Sequence, residues 1–312
     1  MPHTIAAHRT AEMPASASRP DPIALAAFAV TTLFAGGNAV AIRLGYAELA
    51  PFWGAAVRFI AAALILLVVM AVMRLAWPRG RALTGVVVYG VLSFGLSYMF
   101  AYWALTEVTA GTAMVILAIV PLLTLILAVV QRIERFRLQG LIGAILAAIG
   151  ILFVFRDTIG VASPGAILAL FGAALCIAET NIVVKKFPRV HPVVENALGM
   201  TIGGGLLLVL SLVLGEPWVI PSDPWTQLSL LYLIVFGSIG LFILYLVVLS
   251  RWTASGASYI MLIAPLVTVI LGVVILDETV SAAFLIGGVL VLAGVYVGAF
   301  AARAESIPRG SR

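Results

Sequence analysis

Ten long apolar runs separated by short polar connections pattern the chain. They lie at roughly 22–42, 52–73, 83–105, 109–130, 138–156, 164–186, 193–214, 226–249, 254–276 and 282–302. Each is near the roughly 20 residues a helix needs to cross a hydrocarbon core. Lipid-embedded backbone must pair internally, as helices or as a closed barrel. Barrel strands alternate apolar and polar positions, and these runs do not, so the pattern predicts membrane-spanning helices. Pro22, Pro51, Pro78, Pro164, Pro188, Pro192 and Pro224 stand at run ends, where proline is compatible with starting or stopping a helix. Pro121 and Pro265 instead fall in the middle of the fourth and ninth runs.

Composition agrees with lipid cover. Hydrophobic residues make up 63% of the 312 and charged residues only 10%, with a mean hydropathy of +1.19. A soluble domain is about 45–50% apolar and about 25% charged. The pI of 9.7 reads as the positive-inside bias of membrane proteins rather than as a nucleic-acid footprint. With ten spans and a cytoplasmic N-terminus, fifteen of the eighteen Lys and Arg residues fall inside, and Arg43, Arg58 and Arg156 remain on the outer side. Glu48, Glu107, Asp157, Glu216, Asp223, Asp277 and Glu278 fall outside. A nine-span arrangement would expose the cationic C-terminus and is rejected. Residues 1–21 are expected to form a disordered cytoplasmic tail and 303–312 a second one. The single cysteine, Cys176, has no partner for an intrachain disulfide or a metal and reads as a buried small hydrophobe.

The chain repeats itself. The stretch from Thr109, TAGTAMVILAIVPLLTLILAVVQRIERFRLQGLIGAILAAIG, aligns without a gap with the stretch from Thr253 at an offset of 144. Eighteen of forty-two positions are identical, including Pro121/Pro265, Thr124/Thr268, Glu134/Glu278, Gly143/Gly287 and Gly150/Gly294. A weaker echo links spans one and six around Asn38 and Asn181. A unit of five spans repeated once must insert in opposite orientations, the architecture of many secondary transporters. The expected organisation is a first five-helix repeat at 22–156 and a second, inverted one at 157–302. Arg132, Arg135 and Arg137 become Leu276, Thr279 and Ser281 in the second copy, as the flip predicts. Glu134 and Glu278 persist and read as turn residues that cap the helix following them.

These strings carry a resemblance. GGNAVAIRLGYAELAPFWGAAVRFIAAALIL is similar to the first two spans of the drug/metabolite transporter superfamily, in its EamA-type ten-span branch. AYWALTEVTAGTAMVILAIVPLLTLILAVV and ASGASYIMLIAPLVTVILGVVILDETVS resemble its fourth- and ninth-span motif: small residues, a mid-span proline, then an acidic turn. DETVS fits that turn, whereas RIERF departs from it by its extra arginines. The resemblance covers roughly residues 22–302. Among members, the chain looks most like YddG-type exporters of aromatic and other neutral amino acids. It implies an inner (plasma) membrane protein, a monomer or homodimer among lipids, that moves a small molecule through a central cavity.

Polar groups inside spans are costly, which makes them candidates for function. Glu179 lies two turns before the cationic end of span six and reads either as a carboxylate reaching Lys185 or Lys186, or as a gate, proton site or partner for a substrate amine. Asn38 and Asn181 are read as helix–helix glue or cavity lining, and Thr31, Thr32, Ser93, Ser97, Ser255 and Ser258 as lesser versions of the same. Tyr98 and Tyr102, four apart, share a helix face. With Trp103, and with Tyr245 and Tyr259 from spans eight and nine, they form either an interfacial belt or an aromatic wall for an amphipathic substrate. Arg58, two turns into span two, reads first as a side chain snorkelling to the outer interface and second as a partner for a substrate carboxylate or for Glu48 or Glu107. Pro121 and Pro265 each remove a helix hydrogen bond and are expected to act as hinges.

No nucleotide-binding loop, metal motif or nucleophile elbow occurs, so neither a cofactor nor ATP drive is expected. An integral membrane enzyme would gather His, Asp or Glu at one membrane face, and only His191 of the three histidines lies near a span. The expected function is secondary export of small amphipathic metabolites, foremost neutral or aromatic amino acids. The alternative within transport is a drug or nucleotide-related exporter.

Overall fold

The computed structural model describes residues 22–131, 138–158, 163–251 and 260–297. All regular structure among the described residues is helical. Span one is α1 (Pro22–Gly45) and span two α2 (Pro51–Val72). Span three joins α3 (Arg81–Gly90) and α4 (Ser97–Ala104) through a π-helical turn, Val91–Leu96. Span four is α5 (Ala110–Leu117) and α6 (Val120–Val130); span five is α7 (Leu138–Thr158). Spans six and seven are α8 (Pro164–Lys186) and α9 (Pro192–Val213). Span eight joins α10 (Pro224–Ile234) and α11 (Leu241–Arg251) through a second π-helical turn, Val235–Gly240. Spans nine and ten are α12 (Ile260–Leu276) and α13 (Ala282–Val295). Among the described residues, six helices are long and apolar enough to cross a membrane and four shorter apolar ones complete the set of ten.

The helix starts follow from local sequence. Pro51, Pro164, Pro192 and Pro224 each occupy the first turn of their helix, where a missing N–H costs no intrahelical bond. Thr109, Ser163, Asp223 and Ser281 sit one residue before their helices, and each side chain accepts a first-turn N–H.

Two features bear on the expected hinges. Span four stops at Leu117 and restarts at Val120, with Pro121 in the first turn of the new helix. Span nine runs unbroken through Pro265. The equivalent prolines therefore stand in different backbone settings. The two π-helical turns, unseen in the sequence pattern, are 144 residues apart, the same offset as the repeat. Such turns leave carbonyls without their usual helical partners and are frequent at functional sites.

The inversion is visible where equivalent helices meet. A Cβ on Gly150 would lie 2.6 Å from the Gly287 oxygen, and one on Gly287 would lie 2.6 Å from the Gly150 oxygen. A Cβ on Gly294 would lie 2.6 Å from the Gly143 oxygen. In sequence Gly143 aligns with Gly287 and Gly150 with Gly294, but in space the pairs cross. Crossed pairing means that α7 and α13 run antiparallel, so the two repeats are inverted. Backbone-to-backbone approach this close is open only to glycine. Elsewhere α2 packs on α9, α1 on α12, and α6 on α8.

Replacing Gly150 or Gly287 with leucine should destabilise the fold by about 3 kcal/mol, the upper end for overpacking, since the clash is with backbone that cannot give. Gly205→Leu, with nothing within 4 Å of its Cβ, is the matched control. Thermal melting of detergent-solubilised protein, followed by size-exclusion chromatography, should show a lower midpoint for the first two only.

Candidate functional site

The centre of the site is Arg58. It lies seven residues into α2, about 10 Å along the helix by a rise of 1.5 Å per residue, and its relative exposure is 0%. It does not snorkel. Its face of α2 also carries Gly54, Ala55 and Ala62, all buried, so the helix turns this face toward its neighbours. Arg58 Nε donates to Ser238 Oγ at 2.9 Å, Nη2 to the Gly237 carbonyl at 2.9 Å, and Nη1 to Tyr102 Oη at 3.3 Å. Ser238 and Gly237 belong to the second π-helical turn, which thereby accepts two hydrogen bonds from the other repeat. Asn38 Nδ2 donates to the same Gly237 carbonyl at 3.3 Å. That bond orients the amide and leaves Asn38 Oδ1 buried with no partner. Among the described residues no carboxylate lies within 4 Å of the guanidinium; the ion pair they contain is Arg43–Glu278.

Rings surround the cation. The guanidinium carbon is 5.0 Å from the Phe59 ring centre and 5.4 Å from that of Tyr98, within cation–π range. Phe59, Phe94, Tyr98 and Tyr102 form a continuous aromatic wall, with centroid separations of 4.5 Å for Phe59–Tyr98 and 6.0 Å for Tyr98–Tyr102. Tyr98 and Asn38 keep part of their surface exposed despite their depth in the bundle.

The structure thus gathers Asn38, Tyr98 and Tyr102 around Arg58 and places the remaining candidates elsewhere. Trp103 is 40% exposed, and its ring limits the space above Gly165. Tyr245 is 36% exposed on α11. Tyr259, Ser255 and Ser258 lie outside the described residues. Glu179 and Asn181 face span four near the opposite end of the bundle. Glu179 Oε2 accepts from Gln131 Nε2 at 2.7 Å, Gln131 Oε1 accepts from Lys186, and Asn181 Nδ2 donates to Thr124 Oγ1 at 3.2 Å. Glu179 therefore reaches Lys186 through Gln131. Thr31, Thr32 and Ser97 donate to carbonyls four residues back in their own spans. Cys176 is partly exposed rather than buried.

The bundle end where α1 finishes and α2 begins, here the far end, is closed over this site. Four carboxylates each bind backbone N–H groups at the start of a helix in the other repeat. Glu216 accepts from Phe52 and Trp53 at the start of α2 (3.2 and 2.8 Å), and Glu278 accepts from Ala110 and Gly111 at the start of α5 (2.8 and 3.4 Å). Glu107 accepts from Ser163 before α8 (2.8 Å), and Glu48 from Ser222 and Asp223 before α10 (2.8 Å each). Such groups are favourable at the positive ends of helix dipoles. Glu278 was expected to cap the helix that follows it; Ser281 does that instead. Arg43 adds a 3.8 Å ion pair to Glu278 and a bond to the Val108 carbonyl. Beneath the clasp, Tyr46 donates to the Tyr102 carbonyl at 2.5 Å. A surface depression of about 370 Å³ lies above Tyr46, and a cavity of only about 10 Å³ lies below it beside Tyr102.

The Ser222 hydroxyl and the Asp223 N–H hold the Glu48 carboxyl below its usual range, and Ser163 does the same for Glu107. A depressed folded-state pKa contributes stability that is complete above the ordinary carboxylate pKa and is lost as pH falls through the folded value. Acidification below about pH 4 should therefore loosen the far end. The melting midpoint should drop more steeply with acid in the native chain than in Glu48→Gln, and parallel pH profiles would contradict the assignment.

A sequence model of the EamA-like transporter family matches residues 22–156 and again 164–299. The chain is 28% identical to a probable amino-acid metabolite efflux pump of Salmonella typhimurium, over 88% of this chain and 94% of that protein. It is also 28% identical to a protein of the same description in Escherichia coli K12, over 86% and 92%, and to the uncharacterized inner membrane transporter YedA of that organism, over 84% and 86%. A solved crystal structure shares the fold, with a TM-score of 0.64 at 21% identity over 90% of this chain and 98% of its own. Two family matches that together span nearly all ten helices, on an inverted pair of five-helix repeats, make this a multi-pass membrane transporter and not an enzyme: the chain belongs to the EamA-like transporter family.

Proposed function

We propose that the chain is a secondary transporter that exports small amphipathic metabolites, foremost neutral and aromatic amino acids, by alternating access between its two repeats. The observation that carries this reading is the cluster of buried Arg58 and Tyr102 with half-buried Asn38 and Tyr98 at the seam between the repeats, closed on one side by the carboxylate clasp. Inverted-repeat transporters place their substrate at such a seam, beside irregular helices, and spans three and eight each carry a π-helical turn here. The efflux-pump descriptions of the Salmonella and Escherichia relatives support the direction and the substrate class.

The Lys and Arg bias puts both termini in the cytoplasm and the far end outside, in an inner (plasma) membrane. The structure then corresponds to an outward-closed state. Asn38, Tyr98 and Tyr102 line the substrate's seat, and Glu179 and Asn181 border the cytoplasmic approach between spans four and six. Pro121 and Pro265 are the hinges. The helix of span four breaks just before its proline while that of span nine runs through, and exchange of these two conformations between the repeats would open the far end. No cofactor takes part, and the transporter works as a monomer or homodimer among lipids.

Protein in liposomes should exchange labelled phenylalanine or tyrosine. Tyr98→Ala and Asn38→Leu should each cut the initial rate at least tenfold, with Tyr245→Ala near the native rate. Flux of a cationic dye with none of any amino acid would favour the drug-exporter alternative. Runs with and without a pH gradient identify proton coupling.

A further inference from the structure

We infer that Arg58 is the seat of the substrate's carboxylate and that Asn38 Oδ1 accepts from its ammonium group, so that the site selects α-amino acids by their common end. This inference rests on the transport reading above and names the group recognised.

Charge comes first. A guanidinium at 0% exposure in the bundle interior is tolerated only when paired or richly hydrogen-bonded. Arg58 has neutral partners alone among the described residues. The acids of the far end are already engaged: Glu48, Glu107 and Glu216 with helix starts, Glu278 with a helix start and Arg43. With no carboxylate of the described residues within 4 Å of the guanidinium, an anion from outside the fold is the partner this charge lacks.

Geometry comes second. Three of the five guanidinium N–H groups are used, one each on Nε, Nη1 and Nη2. One N–H on each terminal nitrogen is left, the paired fork that binds carboxylates bidentately. The Tyr102 hydroxyl accepts from Arg58, which frees its own proton for a carboxylate oxygen. Asn38 Oδ1 is a buried acceptor that lacks a donor, and Asn38 meets Arg58 on the same Gly237 carbonyl, at 3.3 and 2.9 Å. An acceptor for a cation and a fork for an anion thus stand side by side, as ammonium and carboxylate do on one α-carbon. The Phe59, Phe94 and Tyr98 rings adjoin the fork and offer a surface to an apolar side chain.

The test is competition against labelled phenylalanine exchange in proteoliposomes. The competitors are phenylalanine, phenylalaninamide, phenethylamine and 3-phenylpropionate. The amide and the amine, which lack the carboxylate, should compete at least tenfold more weakly than phenylalanine, and phenylpropionate should retain measurable competition. In Arg58→Gln the preference for the acid over the amide should vanish; Arg58→Lys should keep part of it. A purely structural arginine would change the rate without changing that preference. If Arg58→Gln does not fold, the competitor panel on the native protein still decides. Exchange with amide and acid competing equally overturns this inference alone, whereas absence of any amino-acid exchange overturns the transport reading as well.

Discussion

A buried guanidinium ties three spans together across the seam between the repeats. Gly237, in the π-helical turn of span eight, presents its carbonyl to side chains of the other repeat, in an interior where lipid offers no water. Arg58 and Asn38 donate to that carbonyl from spans two and one, and Arg58 also donates to the Tyr102 hydroxyl of span three. The contact joins the first repeat to the second, so the seam is held by polar bonds amid apolar packing. Without the turn, Arg58 would lose two of its three acceptors; without Arg58, Ser238 and Gly237 would lose their charged donor.

The far end closes by a related logic. Every carboxylate of the clasp belongs to one repeat and every helix start it binds belongs to the other. The stacked rings of Trp53 and Trp218, with centroids 4.8 Å apart, cross the same seam. Closure therefore depends on the relative position of the repeats rather than on the rigidity of either. Separating them would break several charge-assisted bonds at once, which favours a closed or an open end over intermediates.

Much of this was legible in the sequence because lipid imposes simple rules. Span number follows from run length, and the repeat follows from identities such as Pro121/Pro265 and Gly150/Gly294. The π-helical turns were not legible, since one wider turn among apolar residues leaves hydrophobicity unchanged; the only hint was the Gly and Ser content of VLSFGL and VFGSIG. Arg58 was undervalued because sequence shows depth along a helix more readily than direction around it. The clue lay in its small neighbours Gly54, Ala55 and Ala62, which share its face and mark that face as inward. Trp103 and Tyr245 were grouped with Tyr98 by residue type, but their positions on the helices turn them outward. The partners of the far-end acids lie up to about 175 residues away in the chain, beyond the reach of any local pattern.

The crossed glycines of α7 and α13 make one surface complementary to its own repeated copy. Gly143 and Gly150 meet Gly294 and Gly287, which are the same two positions read in the opposite direction. A contact of this kind has the logic of a two-fold symmetric dimer interface, in which one patch serves both sides. Any substitution that the contact tolerates in one repeat must be accommodated by the backbone of the other. The two halves of this single chain thus constrain each other's composition as identical subunits would, even as Arg58, present in only one of them, gives the pair its chemical asymmetry.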